Sequence, residues 1–137
     1  MKLIFTLFLS ITLNAMTQQE VYNISERYCD NASVIVAISK VESQMGKYKG
    51  NHTAKGICQL QPTTVRFIAT KDNRLRWVKN CTDKQLSYVL QNNDHLNIMI
   101  ASIAFSYRVN RYSYDEAIMA HYKFGNTEYL NKVRKEL

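Results

Sequence analysis

Four glycines and a single proline are all that interrupt this chain of 137 residues. A strand-rich sandwich needs a tight turn every dozen residues or fewer, and tight turns draw on those two residue types. A chain so poor in them has to be built from helices joined by short polar turns. The apolar content of 46% with 21% charged residues belongs to a globular protein rather than a disordered one. Its length suits one domain.

Hydrophobic periodicity fills in the helices. Thr17 and Glu20 form a capping-box pair ahead of Val21, Ile24 and Tyr28, which predicts a first helix to about Tyr28. Asn31 or Ser33 can cap a second, in which Val34, Ile35, Val36, Ala37, Ile38 and Val41 are apolar nearly all round. Such a helix has to be buried. Its β-branched content also fits a buried strand, but the Glu-Ser-Gln continuation favours the helix. Gly46 to Gly56 reads as a loop, Gln59 to Thr70 as a helix with Pro62 in its first turn, and 71–81 as a basic irregular stretch. Thr82 to Gln91 is amphipathic, and Asp94 to Val109 is the longest apolar helix. Ser113 and Glu116 cap a helix to about Lys123; Gly125 ends it, and Thr127 to Glu136 closes the chain. The expected fold class is all-α, with two buried helices at the centre.

The amino terminus has a separate logic. Lys2 precedes an apolar run from Leu3 to Leu13, too short for the roughly 20 residues that cross a bilayer. This is the pattern of a secretory signal over residues 1–15, cut after Ala15, with an uncleaved anchor as the alternative. Residues 16–137 are then the working domain. Loss of Lys2 leaves 17 basic and 11 acidic side chains, a net +6. An exported cation of this kind is drawn to anionic polymers such as the cell wall. Of the three cysteines, Cys58 lies in an apolar motif, which leaves Cys29 and Cys81 to pair in an oxidising compartment. A bridge over that separation is worth about 4 kcal/mol in the chain-entropy model. Three reduced thiols are the alternative.

Glu42 carries the strongest chemical signal. It ends an apolar helix, where burial and the negative end of the helix dipole both disfavour its charge. A general acid at neutral pH needs that shift. Read alone, such a residue is more often an exposed Glu where helix meets loop. No other Asp or Glu occurs between Ser43 and Lys71, and Asp72, Asp83 and Asp94 fall in segments expected at the surface. Most glycosidases use two carboxyl groups; this chain offers one.

Five segments, in order, resemble the soluble lytic transglycosylases. They are Ala37-Ile38-Ser39-Lys40-Val41-Glu42-Ser43; Gly56-Ile57-Cys58-Gln59-Leu60-Gln61-Pro62-Thr63-Thr64; Asn97-Ile98; Ala120-His121-Tyr122-Lys123-Phe124-Gly125; and Tyr129-Leu130-Asn131-Lys132-Val133. The resemblance spans about residues 18–134. It implies a goose-type lysozyme-like helical fold with a saccharide groove. It also implies cleavage of the bond between N-acetylmuramic acid and N-acetylglucosamine in peptidoglycan, with Glu42 as the single acid and base and a 1,6-anhydro product. Gln59 and Tyr122 match substrate-contacting positions, and Thr53 and Gln61 match weaker ones. Cys58 stands where the family usually has Met, and Lys123 where it has Asn beside Tyr122; the second departure bears on fine specificity.

No cofactor or metal is expected, since His52, His95 and His121 lack ligand spacing. Peptidoglycan strands are the expected partner, with a secretion apparatus or phage lysis machinery as further candidates, and a monomer is the default. The location would be the periplasm or cell wall. Lys71, Arg74, Arg76, Trp77 and Lys79 could meet nucleic acid, but a solvated loop accounts for them and no nucleic-acid partner is expected. Competing readings are a lysozyme-type hydrolase, which needs a second carboxylate such as Asp72 or Asp83 at the groove, and an exported non-catalytic wall-binding module.

Overall fold

The computed structural model describes residues 15–50 and 53–137, so most of the expected signal segment, residues 1–14, and the pair 51–52 lie outside the described residues. Within them the chain forms seven α-helices and one 3-10 helix, and its only β-pairing is the isolated bridges Gly50–Lys55 and Lys55–Leu60. The class is all-α.

Helix α1, Gln18–Ser25, starts at the expected capping box: the Thr17 hydroxyl accepts from the Glu20 N–H while the Glu20 carboxylate accepts from the Thr17 N–H. It stops three residues before Tyr28, where the chain turns into Cys29. Helix α2, Ala32–Ser43, buries Val34, Ile35, Val36, Ala37 and Ile38. Each valine and isoleucine among them contributes roughly 1.5–3 kcal/mol by leaving water. A loop leads to α3, Pro62–Ala69, and a 3-10 helix, Asn73–Asn80. Then come α4, Asp83–Asn92; α5, Asp94–Val109; α6, Tyr114–Tyr122; and α7, Thr127–Lys135. The Thr82–Gln85 and Ser113–Glu116 pairs both close capping boxes.

Helix α5 is the hub: it packs against α1, α2, α3, α4 and α6, and α2 packs against α1, α5 and α7. Phe105, Ile98 and Ile100 of α5 meet Ile35 and Ile38 of α2 in one continuous core. The two helices that are apolar nearly all round are therefore the two that other helices enclose. No helix among the described residues is long and apolar enough to cross a membrane.

Three expectations need correction. The helix expected from Gln59 begins at Pro62, because Gln59 has a left-handed backbone (φ +50°) inside a tight turn. The basic stretch after Lys71 is regular: Asp72 accepts from the Arg74 N–H to start the 3-10 helix, and Leu75 and Val78, three apart as its period demands, point into the core. The Cys29–Cys81 bridge is not formed, and Cys29, Cys58 and Cys81 are free thiols. Cys29 is buried with its sulfur against the Ser25 hydroxyl, while the Cys81 thiol lies over the Trp77 carbonyl. Each sulfur is engaged within its own stretch of chain.

Candidate functional site

Helix α2 delivers Glu42 on its last turn and then stops abruptly. Gln44 and Met45 both take left-handed backbone conformations (φ +50° and +62°), an uncommon choice for residues with side chains. Ser43 fixes this stop. Its hydroxyl donates to the Ile57 carbonyl at 2.5 Å and accepts from the Gly46 N–H at 2.8 Å. One buried serine thus ties the end of α2 to the turn that carries Gln59, which gives the Glu-Ser pair a structural reason.

That turn is itself locked. Lys55 and Leu60 exchange backbone hydrogen bonds at 2.9 Å. Asn97, fully buried on α5, accepts from the Cys58 N–H at 3.0 Å and donates to the Lys55 and Leu90 carbonyls, each at 2.9 Å. Gly56 has φ +83°, and a Cβ there would lie 2.1 Å from both the Asn97 amide nitrogen and the Leu90 carbonyl oxygen. No other residue fits. Gln59 is only 8% exposed and donates its amide to the Lys49 carbonyl at 2.6 Å and the Gly56 carbonyl at 2.9 Å. Both amide hydrogens are spent on backbone, so the group Gln59 can still offer a ligand is its carbonyl oxygen. Burial pushes the Cys58 thiol well up, which keeps it an inert packing group.

The opposite wall comes from α5, α6 and α7. His121 donates from Nε2 to the Cys58 carbonyl at 2.6 Å, joining this wall to the turn. Burial first, and the neighbouring Arg108 charge second, depress its pKa to about 4, so the ring is neutral at ordinary pH. Tyr129 is buried, with its ring stacked on Tyr122 at 5.2 Å between centroids and parallel to His121 at 6.5 Å.

Between the walls lies a cavity of about 370 Å³ that Glu42, Thr53, Gln59, Gln61 and Tyr122 all line, together with Arg108 and His121. Every residue expected from the sequence to touch substrate therefore faces one space. A second cavity of about 270 Å³ adjoins it, sharing Glu42 and Tyr122 and adding Tyr129, Glu128 and Lys132. Glu42 stands where the two meet, half-buried and in no ion pair among the described residues. Desolvation raises its pKa from 4.5 to about 7, against a smaller downward pull from the Tyr129 hydroxyl. That hydroxyl is buried and falls short of a well-formed hydrogen bond with any group.

The tyrosine beside the Glu42 carboxyl is thus Tyr129. Tyr122 is 61% exposed on the rim, where its ring props Tyr129 from the side. Tyr129 belongs to a segment that marks the family resemblance, but at the closing helix its spacing with Leu130 and Val133 reads as core. Arg108 went unremarked in the sequence, and His121 read there as a scattered histidine. Asp72 is paired with Arg74 at 2.7 Å, and Asp83, 87% exposed, with Arg66 at 2.7 Å; neither lines the cavity. Among the described residues no cluster of three or more His, Cys, Asp or Glu could hold a metal ion.

Neither family models, nor curated proteins, nor solved structures contain a match to this chain.

Proposed function

We propose that the chain is an exported peptidoglycan lytic transglycosylase with a goose-type lysozyme-like fold, in which Glu42 is the sole acid and base. The observation that carries this reading is the cavity itself. It presents one carboxyl group, kept protonated up to about pH 7 by burial, among groups that donate to and accept from sugar hydroxyls.

The chemistry follows from the single carboxyl. Protonated Glu42 gives its proton to the oxygen bridging N-acetylmuramic acid to N-acetylglucosamine, and the C1–O bond breaks. The anomeric carbon takes on oxocarbenium character. The 6-hydroxyl of the same muramyl ring attacks that carbon, and the Glu42 carboxylate accepts its proton. The product is a 1,6-anhydro ring, and Glu42 is returned protonated with no water consumed. Tyr129 bears on the carboxylate stage, since its hydroxyl favours the charged form of Glu42. The Gln59 carbonyl oxygen is suited to accept a sugar hydroxyl or acetamido N–H.

One observation supports a second reading. Glu128 lines the adjoining cavity with Glu42, although its side chain is 82% exposed and lies 3.5 Å from Lys132. If Glu128 activates water across the glycosidic bond, the enzyme is a lysozyme-type hydrolase. Digestion of purified murein separates the two by product mass. Anhydro-muramic ends, abolished in Glu42→Gln and retained in Glu128→Gln, are expected. Reducing muramic ends that vanish in Glu128→Gln establish the hydrolase instead. Full biological activity of Glu42→Gln would leave only a wall-binding module.

A further inference from the structure

A guanidinium taken out of water normally has a carboxylate or several carbonyls to receive its hydrogens, because an unpaired buried charge costs several kcal/mol. Arg108 departs from that rule. It lies on the last turn of α5, half-buried, and lines the same cavity as Glu42. Among the described residues it forms no ion pair, and no side chain or backbone carbonyl accepts a hydrogen bond from it. Its nitrogens are not sealed in, since the buried polar atoms left without a partner belong to Gln91 and Tyr129. The fork therefore opens into the cavity. What compensates the charge is weak: the carbonyl end of α5. Burial lowers its pKa for the same reason, yet an arginine stays charged at any working pH. The one carboxyl across the cavity, Glu42, is mostly protonated below about pH 7 and neutralises little.

We propose that Arg108 is a specificity residue whose guanidinium receives a carboxylate carried on the 3-O substituent of the muramyl sugar, so that the cavity prefers acidic glycans to uncharged ones. The proposal rests on the transglycosylase reading for the identity of the sugar, but not for the anion preference. Two carboxylates fit this chemistry. The free lactyl carboxylate of a peptide-stripped strand branches directly from the ring next to the scissile bond; a stem-peptide carboxylate reaches the same space through a longer arm. In both, a planar fork meets a planar acceptor with two parallel hydrogen bonds.

Binding is measured on the full chain carrying Glu42→Gln, which leaves the ligands uncut. Three glycan probes of equal length are compared: peptide-bearing strands, peptide-stripped strands with free lactyl carboxylates, and strands whose lactyl groups are capped as neutral amides. The expected result is that one acidic probe binds about 10- to 100-fold more tightly than the neutral one, a ratio typical of a charge-assisted bidentate contact. The acidic probe that wins identifies the source of the carboxylate. Arg108→Met, similar in length, should erase the ratio without weakening the neutral probe, while Arg108→Lys keeps part of it; thermal melts of both establish that they fold. Equal affinity for all three probes, or a preference that survives Arg108→Met, overturns the proposal. Anhydro products from the unmodified enzyme alongside equal affinities would leave the transglycosylase reading standing and this one fallen. An Arg108-dependent preference without anhydro products would do the reverse.

Discussion

Polar side chains point inward from both buried helices, and Glu42 at the end of α2 fares in the opposite way from those on α5. On α5, Asn97 makes three hydrogen bonds, and Ser102 donates to the Ile98 carbonyl at 2.7 Å while taking a 2.7 Å bond from the Ser25 hydroxyl. Nothing there is left over. At the end of α2, Glu42 is half-buried without an ion pair, and the Tyr129 hydroxyl facing it is buried without a proper partner. A satisfied polar group stabilises one arrangement of the chain; an unsatisfied one costs stability and persists where a ligand or a proton completes it. The contrast separates scaffold from site within one core. It also predicts that substitutions at the two places move stability in opposite directions.

The largest effect is expected at Glu42. Glu42→Gln keeps the shape and removes the transferable proton, and activity on murein should fall by at least about 100-fold. Stability should move the other way. Because the folded-state pKa of about 7 lies above the ordinary 4.5, the group's contribution to stability is present below pH 4.5 and is lost as pH rises through 7. Above that pH the glutamine variant should be the more stable protein, by about 2 kcal/mol, in urea melts compared at pH 5 and pH 8. A variant destabilised at both pH values would mean that Glu42 belongs to the scaffold. The proposed activity of the unmodified chain should decline along the same alkaline limb, as Glu42 loses its proton.

Next comes the scaffold side. Gly56→Ala places a methyl group 2.1 Å from the Leu90 carbonyl and the Asn97 amide, neither of which can withdraw without breaking the turn. The expected cost is about 3 kcal/mol or more, with activity lost because Gln59 and Ser43 lose their anchor. If the melting midpoint holds while activity vanishes, Gly56 serves the ligand rather than the turn.

How far the sequence foretold this contrast depends on range. Local chemistry was legible: the caps at Thr17 and Ser113, the proline in the first turn of α3 and the all-round apolar character of α2 and α5 each depend on residues within a turn or two. So was the set lining the cavity, because ordered motifs carried Glu42, Gln59 and Tyr122 together. What escaped depends on contacts between distant segments. Gln59 looked like the start of a helix because Pro62 is tolerated in a first turn begun there, whereas Asn97, 39 residues from the Cys58 N–H it binds, holds the turn open. Tyr129 carried no sign that it faces Glu42, since an amphipathic helix buries such a tyrosine anyway. Pairing Cys29 with Cys81 followed from counting thiols, and counting cannot register that each has a local partner.

A smaller effect is expected deep in α5. Ser102→Ala removes one hydroxyl from the Ser25–Ser102 pair and should cost about 1 kcal/mol, with kcat and KM unchanged. The Ser25 hydroxyl keeps the Cys29 sulfur as a neighbour at 3.4 Å, which softens the loss.

Tyr129→Phe is the smallest change and the sharpest test, because the same oxygen atom that fails to stabilise the fold is in contact with the reacting group. Removing a buried hydroxyl that lacks a full partner should leave stability within about 0.5 kcal/mol of the parent, or raise it slightly. The hydroxyl does, however, favour the charged form of Glu42. Without it the Glu42 pKa should climb above about 7, carrying the alkaline limb of activity to higher pH. In the proposed reaction the second proton transfer, in which carboxylate takes the 6-hydroxyl proton, draws on the form that Tyr129 stabilises, so kcat should drop modestly even where Glu42 is fully protonated. Ring stacking with Tyr122 and His121 survives in the phenylalanine, which separates the hydroxyl's influence from that of the wall it belongs to. A limb that stays in place while stability falls by 1 kcal/mol or more would put Tyr129 on the satisfied side of the core, alongside Asn97 and Ser102.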